Sequence, residues 1–107
     1  MIDIETLKSE IIERLKPLDP KKIILFGSYA YGTPTDESDI DLFLVKDIED
    51  KTAREINLQA RRNLRDTIFK YGIGFDIITA SEEFINSRDD YFYKVDILEK
   101  GKILYVK

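Results

Sequence analysis

One stretch, Phe26–Leu44, constrains this chain more than any other: FGSYAYGTPTDESDIDLFL. It sets a Gly-Ser pair at the end of an apolar run, then a second glycine, a polar loop, and two aspartates separated by one residue. The run before the glycine, Lys21–Phe26, is too short for a helix and is bounded by Pro20 and Gly27, so it predicts a buried strand. Gly32–Ser38 carries glycine, proline and small polar residues and predicts a loop. Asp39–Val45 predicts a second strand. Side chains of a strand alternate between faces, which sets Asp39, Asp41, Phe43 and Val45 on one side and Ile40, Leu42 and Leu44 on the other.

The residue types in that stretch carry a specific chemistry. A glycine at position 27 lets backbone approach a ligand closely, and the Ser28 hydroxyl adds a donor beside the exposed amides. If Ser28–Tyr31 open a short helix, its free N–H groups point to the same place and suit an anion. Two carboxylates on one strand face can ligate one or two magnesium ions, which favour carboxylate oxygen and keep waters and substrate phosphates as further ligands. Phosphates at Gly27 and Ser28 beside a cation at Asp39 and Asp41 describe a nucleotidyl-transfer site. Tyr29 and Tyr31 read as packing beside the turn, and Ser38 as a residue that shapes the loop.

The rest of the chain supplies the framework. Ile4, Leu7, Ile11, Ile12 and Leu15 recur at helical spacing after Asp3, a fitting N-cap, and Pro17 with Pro20 ends that helix. Lys46–Lys51 is a charged connection. A long helix is predicted over Thr52–Tyr71, with Ala53, Ile56, Ala60, Leu64 and either Ile68 or Phe69 inward, ended by Gly72. Arg54, Arg61, Arg62 and Arg65 decorate it; the last three read either as a solvated face paired with nearby acids or as a contact for an acidic or phosphate-bearing partner. Ile73–Thr79 predicts a third strand with Asp76 among apolar neighbours, and Ser81 opens a helix near SEEFINS. A last helix around Asp90–Lys100 and a strand at Lys102–Val106 complete the order α-β-β-α-β-α-β. The expected class is α/β (α+β): a small mixed sheet of about four strands flanked by helices, as one domain over residues 1–107.

Composition narrows the chemistry by exclusion. The 107 residues contain neither cysteine nor histidine, which removes thiol chemistry, Cys/His zinc sites and every histidine-assisted nucleophile. Acid–base or metal chemistry must therefore run on carboxylates, Lys, Arg, Tyr and Ser. A net charge of −4 argues against general nucleic-acid binding, which draws its affinity from neutralising phosphates. The acidic N-terminus is unlike a signal peptide and no apolar run approaches membrane length, so a cytoplasmic protein is expected.

Gly27-Ser28, then Gly32, then Ser38-Asp39-Ile40-Asp41-Leu42 resembles the GSxxxG…SDxDL signature of DNA polymerase beta-like nucleotidyltransferases. The short length and the later strand with Asp76 are most similar to the minimal nucleotidyltransferases (MNT), antitoxins partnered with a helical HEPN toxin. The resemblance implies Asp39, Asp41 and Asp76 as catalytic metal ligands for two Mg²⁺ ions. It implies Gly27, Ser28 and Ser38 as the nucleotide- and phosphate-binding set. It further implies transfer of AMP from ATP to a hydroxyl, a tyrosine on the HEPN toxin, which neutralises the toxin. Tyr31 departs from the pattern, since members often carry an arginine there; a tyrosine offers one hydroxyl and a stacking ring in place of a bidentate phosphate fork. Two rival readings stay open. The fold neutralises a toxin by binding alone, or it is a small-molecule transferase of the aminoglycoside type.

Overall fold

The structure is a computed structural model that describes residues 3–32, 34–47 and 50–107. Thr33 of the expected loop and residues 48–49 of the charged connection lie outside the described residues.

Helix α1 (Ile4–Leu15) begins where Asp3 accepts a hydrogen bond from the Glu5 amide at 3.0 Å, and it buries Leu7, Ile11 and Leu15. A single 3₁₀ turn (Lys16–Leu18) then leads to Asp19, whose φ of 55° reverses the chain. Strand β1 (Lys22–Phe26), the one-turn helix α2 (Ser28–Tyr31) and strand β2 (Ile40–Val45) follow. Next come α3 (Asp50–Asn63), α4 (Arg65–Tyr71), β3 (Phe75–Ala80), α5 (Glu82–Ser87), a π-helix (Phe92–Glu99) and β4 (Lys102–Val106).

The four strands form one mixed sheet in the order β3-β2-β1-β4. β1 pairs antiparallel with β2 and β4, and β2 pairs parallel with β3. A parallel pair cannot be joined by a tight turn, which is why α3 and α4 cross between β2 and β3. The predicted alternation along β2 is borne out. Ile40, Leu42 and Leu44 join Ile23, Leu25, Phe75 and Ile77 beneath α1 and α3. Phe43 and Val45 join Ile24, Phe26, Ile85 and Ile97 beneath α5 and the π-helix. On that second face Phe43 meets Phe26 and Tyr93 edge-on, with ring centroids 6.4 and 6.0 Å apart. Phe43 is fully buried, so Phe43→Ala is expected to cost about 3–5 kcal/mol in urea unfolding, the usual penalty for emptying an aromatic site.

Two expectations need correction, and one open alternative is decided. The single helix over Thr52–Tyr71 begins at Asp50 and bends at Leu64, where ψ is 1°. Backbone hydrogen bonds still run through the bend, from Leu64 N–H to Ala60 and from Ile68 N–H to Leu64. The bend falls next to Asn63, whose side-chain amide is held by the Arg14 carbonyl at the end of α1, at 3.1 Å. Of the two alternatives offered for the inward residue, Ile68 packs on the core while Phe69 is 82% exposed. The last helix is wound with i→i+5 hydrogen bonds, as in Lys100 N–H to the Val95 carbonyl at 2.8 Å, a widened form that local propensity does not reveal. Among the described residues, no helix is long and apolar enough to cross a membrane.

Candidate active site

β1 ends, and β2 and β3 begin, at the same end of the sheet. The registers pair Phe26 with Asp41 and Asp41 with Asp76, so the sequence-predicted residues from three distant segments meet there.

Gly27 carries the sharpest local constraint. Its backbone stands at φ 74° and ψ −160°, a region open essentially to glycine. A β-carbon at this position would also collide with the Asp41 carboxylate. The turn is therefore pressed directly onto the aspartate. Its carbonyl accepts hydrogen bonds from the amides of Ala30 and Tyr31 at 3.0 and 3.1 Å, and Gly32 closes α2 at φ 80°. The expected short helix at Ser28 is thus present, with Ser28 half-buried at its start and Tyr29 and Ala30 anchored in the core.

Asp39 sits one residue ahead of β2, not within it, because the ladder begins with the Ile40 amide donating to the Gly74 carbonyl at 2.9 Å. Its carboxylate lies across Gly74, where a β-carbon would come within 2.7 Å of Oδ1. Asp41 is half-buried, and its pKa is pushed up to about 6. Burial is the main cause, followed by the charges of Asp76 and Asp39 and by a hydrogen bond with Asp76. Asp76 itself is exposed and has Arg61 Nη2 4.0 Å from its Oδ1. Asp41 and Asp76 are therefore in contact, while Asp39 is turned toward Gly74. Among the described residues, no group of three acidic side chains stands in ligating geometry as it is.

Ser38 is engaged within its loop: its hydroxyl accepts from the Thr35 amide at 2.8 Å and lies 3.2 Å from the Thr35 hydroxyl. The Tyr31 hydroxyl donates to the Asp96 carbonyl of the π-helix at 3.3 Å. Lys100 Nζ lies 5.7 Å from the Tyr31 ring centre and 5.9 Å from that of Tyr91. Sequence reasoning missed Gly74, Lys100 and the approach of Arg61 to Asp76. A glycine at the head of a strand, two residues before an aspartate, is the one signal that pointed to a close contact.

Cavities of about 500 and 570 Å³ lie elsewhere, the first among Glu13, Arg14, Pro17, Leu18, Gln59 and Asn63, the second between α1, α2 and β4. Neither is lined by the three aspartates. We take the aspartate cluster as the site, because it joins a strained backbone, a perturbed carboxyl and like charges in contact; both cavities lack these features.

The mixed sheet with helices on both faces is the nucleotidyltransferase fold, as solved structures show. A crystal structure of a toxin–antitoxin with AMP-PNP matches at a TM-score of 0.61 and 22% identity, over 94% of this chain and 73% of that one. A complex of tri-AMPylated Shewanella oneidensis HEPN toxin with MNT antitoxin matches at 0.54 and 19% identity, over 98% of this chain and 74% of that one. A protein of Methanocaldococcus jannaschii that carries the name of a candidate protein adenylyltransferase is 35% identical over 102 residues, 95% of this chain and 90% of its own length. The family described as Nucleotidyltransferase domain matches residues 4–105. The chain belongs to that family and is a nucleotidyltransferase.

Proposed function

We propose that the protein is a Mg²⁺-dependent adenylyltransferase that moves AMP from ATP to a tyrosine hydroxyl of a HEPN-type partner and so acts as its antitoxin in the cytoplasm. The observation that carries this reading is the Asp41–Asp76 pair pressed under the Gly27 turn. In the reaction the acceptor oxygen bonds to the α-phosphorus, the bond from that phosphorus to the β-phosphate bridge breaks, pyrophosphate leaves and the hydroxyl proton is lost. The M. jannaschii relative supports protein adenylylation, and the solved neighbours support a toxin–antitoxin setting.

The residues present suit a hard cation. The three aspartates offer carboxylate oxygens, and burial with like charge raises the Asp41 pKa to about 6, a shift that a divalent ion would reverse. Asp41 and Asp76 would hold it, joined by Asp39 once that side chain turns away from Gly74. When bound, Mg²⁺ neutralises phosphate charge and acidifies the acceptor hydroxyl. The chain's own part is geometric. The Gly27–Ser28 turn offers backbone amides to the phosphates, with no side chain in the way. Asp76, on the open edge of the sheet, is placed to take the acceptor proton, with Ser38 setting the loop that brings Asp39 to the site.

The test is mass spectrometry of a HEPN partner incubated with the protein, ATP and Mg²⁺. The expected result is a gain of adenylyl mass that disappears in the Asp39→Asn/Asp41→Asn double variant. No gain with the wild type, under conditions in which an active relative modifies its toxin, would sink the reading. A partner silenced equally well by the double variant would favour the second reading, neutralisation by binding alone, to which Tyr31 in place of an arginine lends its support.

A further inference from the structure

The sheet face that bears Asp41 and Asp76 is also the face that the π-helix covers. Phe26 is the register partner of Asp41, and Asp41 that of Asp76, so all three side chains point the same way. Phe26 packs edge-on against Phe92 of the π-helix, with ring centroids 5.6 Å apart. Strand β4 then brings the other end of that helix to the site. Lys102 pairs with Leu25 in the antiparallel ladder, so Lys100 and Gly27 both lie two residues beyond that pair, at the aspartate end. Gly101 permits the sharp passage from helix to strand, because a β-carbon there would collide with the Ile97 carbonyl.

The Lys100 ammonium stands against two exposed rings, 5.7 Å from the centre of Tyr31 and 5.9 Å from that of Tyr91. Tyr31 ties this group to the Gly27 turn. Burial and the charge of Asp96 push the Tyr31 hydroxyl above its ordinary range, while a hydrogen bond with the Gly27 backbone and the charge of Lys100 pull it back. A bond that favours the phenolate must be donated to it, so the Gly27 amide faces that hydroxyl. Among the described residues, no carboxylate forms an ion pair with Lys100.

We propose that Lys100 binds the terminal phosphates of the nucleoside triphosphate, adding to the Gly27–Ser28 turn a positive charge that the turn itself lacks. The proposal rests on the reading of that turn as the phosphate-binding element. Both ring contacts lie near the roughly 6 Å limit of a cation–π interaction, so the rings orient the ammonium without holding it firmly. A lysine suits the task, since a point charge on a flexible stem can meet any oxygen of the phosphate tail. When the bond between the α-phosphorus and its bridging oxygen breaks, the electron pair stays with the departing pyrophosphate. An ammonium on the terminal phosphates offsets that charge as it forms. Lys102 supplies the contrast: its partner Leu25 belongs to the layer beneath α1, so its side chain leaves on the opposite face.

Calorimetry with a non-hydrolysable ATP analogue and with AMP, each with Mg²⁺, tests this on wild type, Lys100→Ala, Lys100→Arg and Lys102→Ala. The wild type is expected to prefer the triphosphate. Lys100→Ala should lose about tenfold in affinity for the ATP analogue, more at low salt, and nothing for AMP. Lys100→Arg should keep most of the affinity and Lys102→Ala all of it. Both lysines are exposed, so every variant should melt with the wild type. Unchanged affinity of Lys100→Ala for the ATP analogue overturns the proposal, and a wild-type preference for the triphosphate would then leave the phosphate turn standing. An equal loss for AMP overturns it as well, because the lysine would then act on the nucleoside end. So does an equal loss in Lys102→Ala, the mark of a general charge effect. A wild type without preference for the triphosphate counts against the turn and the lysine together. No acceptor enters these measurements, so their outcome is separate from that of transfer to a partner.

Discussion

Asp41→Asn is expected to make the protein more stable while abolishing transfer. The Asp41 carboxyl has a folded-state pKa of about 6 against an ordinary 3.8. A group raised in this way contributes stability that is fully present below 3.8 and is lost as the pH rises through 6. Above that point the folded protein carries a half-buried charge beside Asp76, and the amide removes it. With solvent screening discounted, the gain is about 1 kcal/mol, worth roughly 5 °C in melting temperature well above pH 6 and vanishing near pH 4. Thermal unfolding at the two pH extremes measures it. On the proposed mechanism, transfer falls by about 10³-fold or more, equivalent to roughly 4 kcal/mol in the barrier. An Asp41→Asn protein that melts lower than wild type at high pH would contradict the electrostatic account, whatever its activity.

The two glycines that touch aspartates should behave in opposite ways. Gly27→Ala meets both a backbone that L residues avoid and the Asp41 carboxylate behind it, and the expected loss is about 2–4 kcal/mol of stability together with transfer. At Gly74 the backbone is ordinary, and a β-carbon meets only the end of the Asp39 side chain, which can swing aside. Gly74→Ala should therefore stay within about 0.5 kcal/mol of wild type while transfer drops by about 10²-fold, because one carboxylate is displaced. Chemical denaturation and adenylyl transfer measured on both variants separate the cases. Comparable destabilisation at the two positions would show that Asp39 is not held by Gly74.

These predictions mark where sequence reasoning succeeded and where it stopped. The alternation in IDLFLV is enough to set Asp41 on the face of Phe43, because period two is a property of one strand. Helix α1 and its Asp3 cap are equally local. Asp76 was legible as the third carboxylate only through resemblance, since its contact with Asp41 depends on the register of two strands joined by a long crossover. The partners of Gly74 and Arg61 were illegible for the same reason. Each acts on an aspartate from a different segment, and no spacing within one segment encodes that. The bend at Leu64 and the exposure of Phe69 are tertiary outcomes as well: the segment has continuous helical spacing, and the Arg14 carbonyl that holds Asn63 belongs to another helix.

The parallel pairing of β2 with β3 has a consequence for how the molecule matures. Nearly thirty residues of crossover must close before Asp76 reaches Asp41, a non-local step expected to come late in folding. A slip of one residue in that pairing would turn Asp76 to the opposite face of the sheet, into the apolar layer beneath α3, where a lone carboxylate is heavily penalised. The acidic pair therefore selects its own alignment as the chain folds. A newly made molecule gains its chemistry only when that alignment is correct, so misfolded copies emerge as inert transferases instead of promiscuous ones.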